Sequence, residues 1–272
     1  MDQILSVLPV FLALVSTGII AGLLAGLLGV GGGIVIVPVL YYIFQYFGVS
    51  ATSAMVIATT TSLATIVPTS ISSIKAHHAN GNVDWLLLRW LSAFIVIGVV
   101  AGSLLVSKVG GAWLSGLFGI VATISALNML LRSNAAPVAN ALPGKFGQGI
   151  MGSCIGFLSV MVGIGGGTLT VPTLTAFNYP AHRAVGTAAA VGLLIALPGV
   201  ATMLLAGNVP IDAPIGNYGL VNWLGFVCIV PLTVYFSPIG ARIGKQLDSA
   251  KLKKVFALVL AFTGIRMLLQ AF

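Results

Sequence analysis

Apolar runs of about 20 residues, each closed by a short polar stretch, follow one another along the whole chain. A helix of that length spans the ~30 Å hydrocarbon layer of a bilayer. The pattern predicts an all-α integral membrane protein of eight elements, at roughly 5–46, 51–74, 85–107, 112–131, 147–178, 183–206, 217–241 and 252–271. The first and fifth are anomalous because a cluster of glycines interrupts each of them. The first cluster sits in GLLAGLLGVGGGIVIVPVL at 22–40 and the second in GFLSVMVGIGGGTLTVPTL at 156–174. A shift of 134 superimposes Gly22, Gly29, Gly31, Gly32, Gly33, Pro38 and Leu40 on Gly156, Gly163, Gly165, Gly166, Gly167, Pro172 and Leu174.

Four glycines within five positions, with a proline five residues on, cannot continue an ordinary helix. About 40 residues of helix would also be twice as long as the hydrocarbon is thick. Each motif element is therefore expected as two helical arms that meet at the glycines and turn back, leaving on the side where they came in. The duplication reaches well beyond the motif. Pro68 matches Pro198, Gly81-Asn82-Val83 matches Gly207-Asn208-Val209, and Gly102, Phe118 and Met129 match Gly240, Phe256 and Met267. Two four-element repeats result, at 1–134 and 135–272, integrated in one membrane domain and joined in the polar linker 133–145.

Composition supports the membrane class: 58% of the residues are hydrophobic and only 6% charged, so no loop can fold as a soluble domain. The net charge of +8 would suggest nucleic acid in a soluble protein. Here the basic residues cluster at segment ends, which is the cytoplasmic bias of membrane proteins, and no nucleic-acid partner is expected. Their distribution also separates two topologies. Eight simple crossings divide them seven to five, which is almost no bias. With re-entrant motif elements, Lys75, Arg89, Arg132, Lys145, Arg183, Arg242, Lys245, Lys251, Lys253 and Lys254 share one side, and only Lys108 and Arg266 face the other. Ten to two is the asymmetry that insertion produces. Three crossings per repeat also invert the second repeat, with both termini outside. The first residues carry Asp2 and no basic residue, so no signal peptide is expected. Cys154 and Cys228 both lie in apolar segments and read as small core residues without a disulfide.

In an inverted repeat the two glycine tips approach from opposite faces and meet near the midplane. Such duplicated breaks are the best sequence pointer to a transporter's binding site. A second half-helix starts beyond each tip, near Ile34 or Thr168, and its first turn offers unpaired N–H groups and a partial positive charge to an anion. The candidate binding residues are thus Gly29, Gly31, Gly32, Gly33, Ile34 and Pro38 with Gly163, Gly165, Gly166, Gly167, Thr168, Thr170 and Pro172. Thr168 and Thr170 add hydroxyls where the first tip has Ile34 and Ile36. Thr59, Ser62, Thr69 and Ser73 fall close to one face of the second element, and Thr59 and Ser62 are further candidates. Bonding to the helix's own carbonyls competes with that role. Arg183 opens the sixth element and is a candidate anion contact in the cytoplasmic vestibule, although a charge on that side needs no such duty. Gly22 and Gly26 read better as close helix packing. His77 and His78 are adjacent, diverge on a helix, and make a poor metal pair. No cofactor or metal is expected. The absence of Glu, with Asp2, Asp84, Asp212 and Asp248 all at ends or in loops, argues against an enzyme.

The doubled GxGGG-x4-P-x-L, at Gly29–Leu40 and Gly163–Leu174, resembles the sulfite exporter TauE/SafE family of membrane permeases. The likeness spans both repeats. It implies transport of small anions across the bacterial cytoplasmic membrane, chiefly sulfite, sulfonates and sulfoacetate, with some organic acids. Transport of small carboxylates and an anion channel in place of a carrier stay open at this point.

The topology is tested by single cysteines and an impermeant thiol reagent. Positions near Lys145 and Lys251 are expected to label from the cytoplasmic side, and Gly110–Gly111 from outside. Labelling of 110 and 145 from the same side would contradict the inverted arrangement.

Overall fold

The structure is a computed structural model, described for residues 2–106, 108–131, 138–244 and 249–271. Arg132, Lys245, Asp248 and the junction expected at 134/135 lie outside those residues. Ten helices form the described part: α1 (Asp2–Leu28), α2 (Gly33–Tyr46), α3 (Ala51–His78), α4 (Trp85–Val106), α5 (Gly111–Leu131), α6 (Lys145–Val162), α7 (Gly167–Ala176), α8 (Ala181–Ala206), α9 (Trp223–Ile243) and α10 (Ser249–Ala271). Seven helices (α1, α3, α4, α5, α6, α8 and α9) are long and apolar enough to cross a membrane. The ten helices exceed the eight expected elements because each motif element divides in two at its glycines, α1 from α2 and α6 from α7. With 14 and 10 residues, α2 and α7 reach about 21 and 15 Å. Neither spans the hydrocarbon.

Helices α2 and α7 run through Pro38 and Pro172. Each is the sixth residue of its helix, where a missing N–H leaves the carbonyl of Ile34 or Thr168 without its helical donor. The element expected at 217–241 opens as a hairpin, with β1 (Asn217–Tyr218) antiparallel to β2 (Val221–Asn222) around Gly219 at φ +59°. Helix α9 starts only at Trp223, where Asn222 Oδ1 accepts the Gly225 N–H at 2.9 Å.

Helix α3 is the centre of the molecule. Its apolar stretch is 83% buried, against 33–50% for the other crossing helices. A hydroxyl-rich sequence can be that deeply buried because most of its hydroxyls find acceptors. Thr60, Thr65 and Thr69 donate to carbonyls one turn back in the helix. Ser72 and Ser73 donate across helices to the carbonyls of Val234 and Ala25. The main pairings come in matched sets: α1 packs on α9 and α6 on α4, α3 on α9 and α8 on α4, while α3 packs on α8 and α5 on α10.

The α1–α9 and α4–α6 seams are lined with glycine, which lets the backbones approach where oil-like lipid supplies no hydrophobic drive. A Cβ on Gly22 would lie 2.8 Å from Thr233 Cα, and one on Gly26 would strike the Ser237 carbonyl. On the other seam, side chains on Gly98 and Gly156 would meet the carbonyls of Ser153 and Ile95. Gly22 and Gly26 thus serve packing, as their spacing suggests. Cys154 departs from expectation: it is exposed on the outer surface of α6, and Cys228 is only partly buried.

Gly26→Ala is expected to lower the thermal stability of the purified protein by about 1–3 kcal/mol, because the crowding atoms are backbone. Gly110→Ala meets open space and is expected to change it by less than about 0.5 kcal/mol. Equal melting temperatures for the two variants in a detergent-phase thermal assay would contradict the seam.

Candidate functional site at the crossed glycine segments

The two glycine segments cross and touch backbone to backbone. A Cβ on Gly33 would collide with the Gly163 carbonyl oxygen, and one on Gly167 with that of Gly29. At the centre, a Cβ on Gly31 would lie 3.2 Å from Gly165 Cα and equally close to Ile66. Ile66 is near mid-length of α3, so the crossing sits deep in the helical stack. Gly32 and Gly166 open α2 and α7 with nearly the same left-handed geometry, φ 78° and ψ −12° against φ 74° and ψ −24°. A side chain there costs roughly 1–2 kcal/mol of backbone strain. Mutual contact and positive φ thus account for much of the glycine content that the sequence reading ascribed to a ligand.

The first turns beyond the crossing hold free donors. Val35 and Ile36 donate to the Gly32 carbonyl, and Leu169 and Thr170 donate to that of Gly166. The N–H groups of Gly33, Ile34, Gly167 and Thr168 precede any carbonyl one turn back in their own helices. Around the second segment gather buried hydroxyls with no partner: Thr168 and Thr170 on α7, Ser159 in the last turn of α6, and Thr59 and Ser70 on α3. All five are at most 4% exposed. Thr59 lies against Gly163, whose added Cβ would be 2.9 Å from the Thr59 Cα. Ser70 Oγ and the Gly165 carbonyl both border Gly192, at 2.9 and 2.8 Å from a Cβ built there. Leaving a buried hydroxyl unbonded costs about 1–3 kcal/mol; these five are spread along the segment, and Ser115, Thr123 and Ser237 are unpartnered elsewhere. The first segment carries no such set, since Ile34 and Ile36 occupy the corresponding positions and are fully buried.

Of the sequence candidates, the two segments and Thr59 come together here. Ser62 does too, but its hydroxyl donates to the Gly163 carbonyl at 2.9 Å and serves as a strut. Thr69 and Ser73 are likewise engaged, with Thr233 and the Ala25 carbonyl. Arg183 stands apart at the start of α8. It is half exposed and pairs with Asp84 at 2.9 Å. Sequence reasoning missed Ser159, since an unpartnered hydroxyl is visible only once the neighbours are known. It also missed Tyr179, which donates to the same carboxylate. The scarcity of carboxylates, four in the whole chain, was the available signal. His77 and His78 diverge, as adjacent helical residues must: His77 Nε2 lies 2.9 Å from the Gly26 carbonyl oxygen, and His78 Nδ1 accepts from Trp85.

Two carboxylates tie loops to the ends of the long central helices. Asp84 joins the α3–α4 loop to the start of α8 through Tyr179 and Arg183. Asp212 joins the α8–α9 loop to the start of α3 through Ser50 N and Ser53 Oγ. Burial raises the Asp84 carboxyl, but the Tyr179 hydroxyl, the Leu87 N–H and the Arg183 guanidinium outweigh it and hold it below its usual value. Burial and the neighbouring Asp84 push Tyr179 up to about 12. The Ser53 and Ser50 hydrogen bonds lower Asp212 to about 2. Both carboxylates are therefore charged at neutral pH, and their ties weaken only as the pH falls through these depressed values.

Comparison with known proteins bears on this geometry. Residues 14–267 match the family model described as sulfite exporter TauE/SafE. A probable membrane transporter protein of Haemophilus influenzae is 33% identical over 253 residues, covering 93% of this chain and 96% of that protein. One of Methanocaldococcus jannaschii is 30% identical, covering 94% of each. A third, YunE of Bacillus subtilis, is 28% identical over 96% of this chain and 98% of its own. No solved structure matches the chain significantly. The crossed glycine segments thus lie within the matched span, and the chain belongs to the sulfite exporter TauE/SafE family of membrane transporters.

Proposed function

We propose that this transporter carries small anions, chiefly sulfur oxyanions such as sulfite and organosulfonates, across the cytoplasmic membrane by alternating access. The anion is held where the glycine segments cross, against the first turn of α7. The observation that carries this reading is the unpartnered, buried hydroxyl of Thr168 beside first-turn N–H groups that lack a helical acceptor, with further unpartnered hydroxyls along the second segment. Donors without acceptors suit a ligand that is all acceptor. A helix N-terminus adds a partial positive charge, so a compact anion needs no basic side chain in the core. The family's description as sulfite exporters supports sulfur oxyanions in particular.

Inverted halves fit the packing, and both termini outside fits the distribution of basic residues. Matched pairings relate α1–α9 to α6–α4 and α3–α9 to α8–α4. The end of α3 meets the start of α8 near Asp84, and the end of α8 meets the start of α3 near Asp212, so the two long helices run antiparallel. A carrier fits better than an open channel, because backbone fills the crossing at Gly31 and Gly165. Within α7, Thr168 and Thr170 stand about 200° apart. Only one can face a ligand squarely, and Thr168 in the first turn is the nearer to the free N–H groups.

Thr168→Val is expected to weaken sulfite binding by about 1 kcal/mol, roughly fivefold. Thr170→Val should have a smaller effect, and Ile34→Val none. Titration calorimetry on the purified protein, with sulfite, an alkyl sulfonate, acetate, glucose and potassium, checks this. A preference for acetate over both sulfur anions would move the substrate to carboxylates. A preference for glucose or potassium would overturn the anion site.

A further inference from the structure

A second place on the molecule is built for a charged ligand, away from the crossed glycines and independent of what they bind. A cavity of about 650 Å³ opens between the first turns of α4, the start of α6 and the turn before α8. Its wall includes Arg89, Lys145 and Asp84. The Asp84 carboxylate is fully engaged: Oδ1 accepts the Leu87 N–H, and Oδ2 accepts Tyr179 and Arg183. Among the described residues the one ion pair is that of Arg183 with Asp84, which leaves Arg89 and Lys145 without a carboxylate. Among the described residues the cavity therefore carries two positive charges with no carboxylate partner.

The surroundings say which anion fits. Lys145 Nζ sits 5.2 Å above the Trp90 ring, and the Trp90 Nε1–H points back at the Lys145 carbonyl at 3.4 Å. The indole thus holds the ammonium at the cavity wall and presents its own apolar face. Beside them, Trp85, Leu86, Phe146 and Ile150 are all more than half exposed. Large apolar side chains next to a tryptophan and basic residues, at the ends of crossing helices, mark the boundary between hydrocarbon and water. A free solute anion has no use for that apolar rim. A lipid uses both: its phosphate takes the two cations and its chains lie along α4 and α6. Basic pockets between helices at this depth favour anionic head groups.

We infer that the cavity bounded by Arg89, Lys145 and Trp90 binds the head group of an anionic phospholipid. It sits on the face where the basic residues gather, the side expected to be cytoplasmic. Arg89 and Lys145 supply the charge, Trp90 orients Lys145, and Leu86 with Phe146 meets the chains.

The test uses the purified full-length protein in detergent, with lipid binding followed by native mass spectrometry and by thermal shift. Phosphatidylglycerol is expected to bind and stabilise the protein more than phosphatidylcholine. Glycerol phosphate and inorganic phosphate should have no effect at equal concentration. The double variant Arg89→Gln, Lys145→Gln should bind phosphatidylglycerol roughly thirtyfold more weakly, at about 1 kcal/mol per basic residue. Arg242→Gln, an exposed charge elsewhere on the molecule, should bind it as the wild type does. Should the double variant fail to fold, Lys145→Gln alone serves, with a loss of about fivefold. The inference is overturned by equal binding of the two lipids, by undiminished binding in the folded Lys145 variants, or by an equal loss in Arg242→Gln. Stabilisation by free phosphate would also overturn it, and would make the cavity a solute site.

Discussion

Two lengths of bare backbone cross midway along α3 and α8, and the packing of the other helices depends on that contact. Peptide groups can be stripped of side chains at this depth only if protein covers them or a polar ligand meets them. Here both segments are buried throughout, and each presses on the other at Gly33 with Gly163 and at Gly167 with Gly29. Short arms follow from this. Because α2 and α7 start at the crossing, they are too short to span the hydrocarbon, and α3 and α8 enclose them. The glycine seams of α1 with α9 and of α6 with α4 then bring the outer helices close enough to hold the crossing from both sides.

The polar groups of the interior fall into two populations. Most hydroxyls of α3 are satisfied, by carbonyls one turn back or by partners such as Thr233 and Gly163. A few around the second segment are not. Among the unsatisfied ones, which also include Ser115, Thr123 and Ser237 elsewhere, those beside the first turn of α7 mark the proposed site. A glycine at the crossing is already accounted for by its neighbour, whereas an orphaned hydroxyl on Thr168 is not. The same asymmetry distinguishes the halves: the first segment lines its arm with Ile34 and Ile36, and the second offers Thr168 and Thr170. An anion held between such arms would have a hydrogen-bonding side and an apolar side.

Much of the architecture was legible because it depends on local rules. A glycine motif repeated at constant spacing, in apolar stretches too long for one crossing, predicts two broken elements, and both breaks fall at those glycines. Gly22 and Gly26 were legible as packing because small residues four apart form a stripe on one helix face. What was not legible depends on partners remote in sequence. The hairpin at 217–222 was hidden in an apolar run. Ser62 looked like a ligand group until the Gly163 carbonyl was found beside it, and Arg183 until Asp84 was. Cys154 lies on the exposed surface of α6 because an apolar segment in a membrane need not be a buried one.

The central claim is that an anion binds against the first turn of α7 at the crossing. Methyl NMR of the detergent-solubilised protein, labelled at the threonine γ-methyls and titrated with sulfite, reads that location directly. The account predicts saturable shifts at Thr168 and Thr59, with Thr233 and Thr202 unmoved. Shifts confined to Thr202, which donates to the Pro198 carbonyl near the last turn of α8, would contradict it, as would a spectrum that no anion changes.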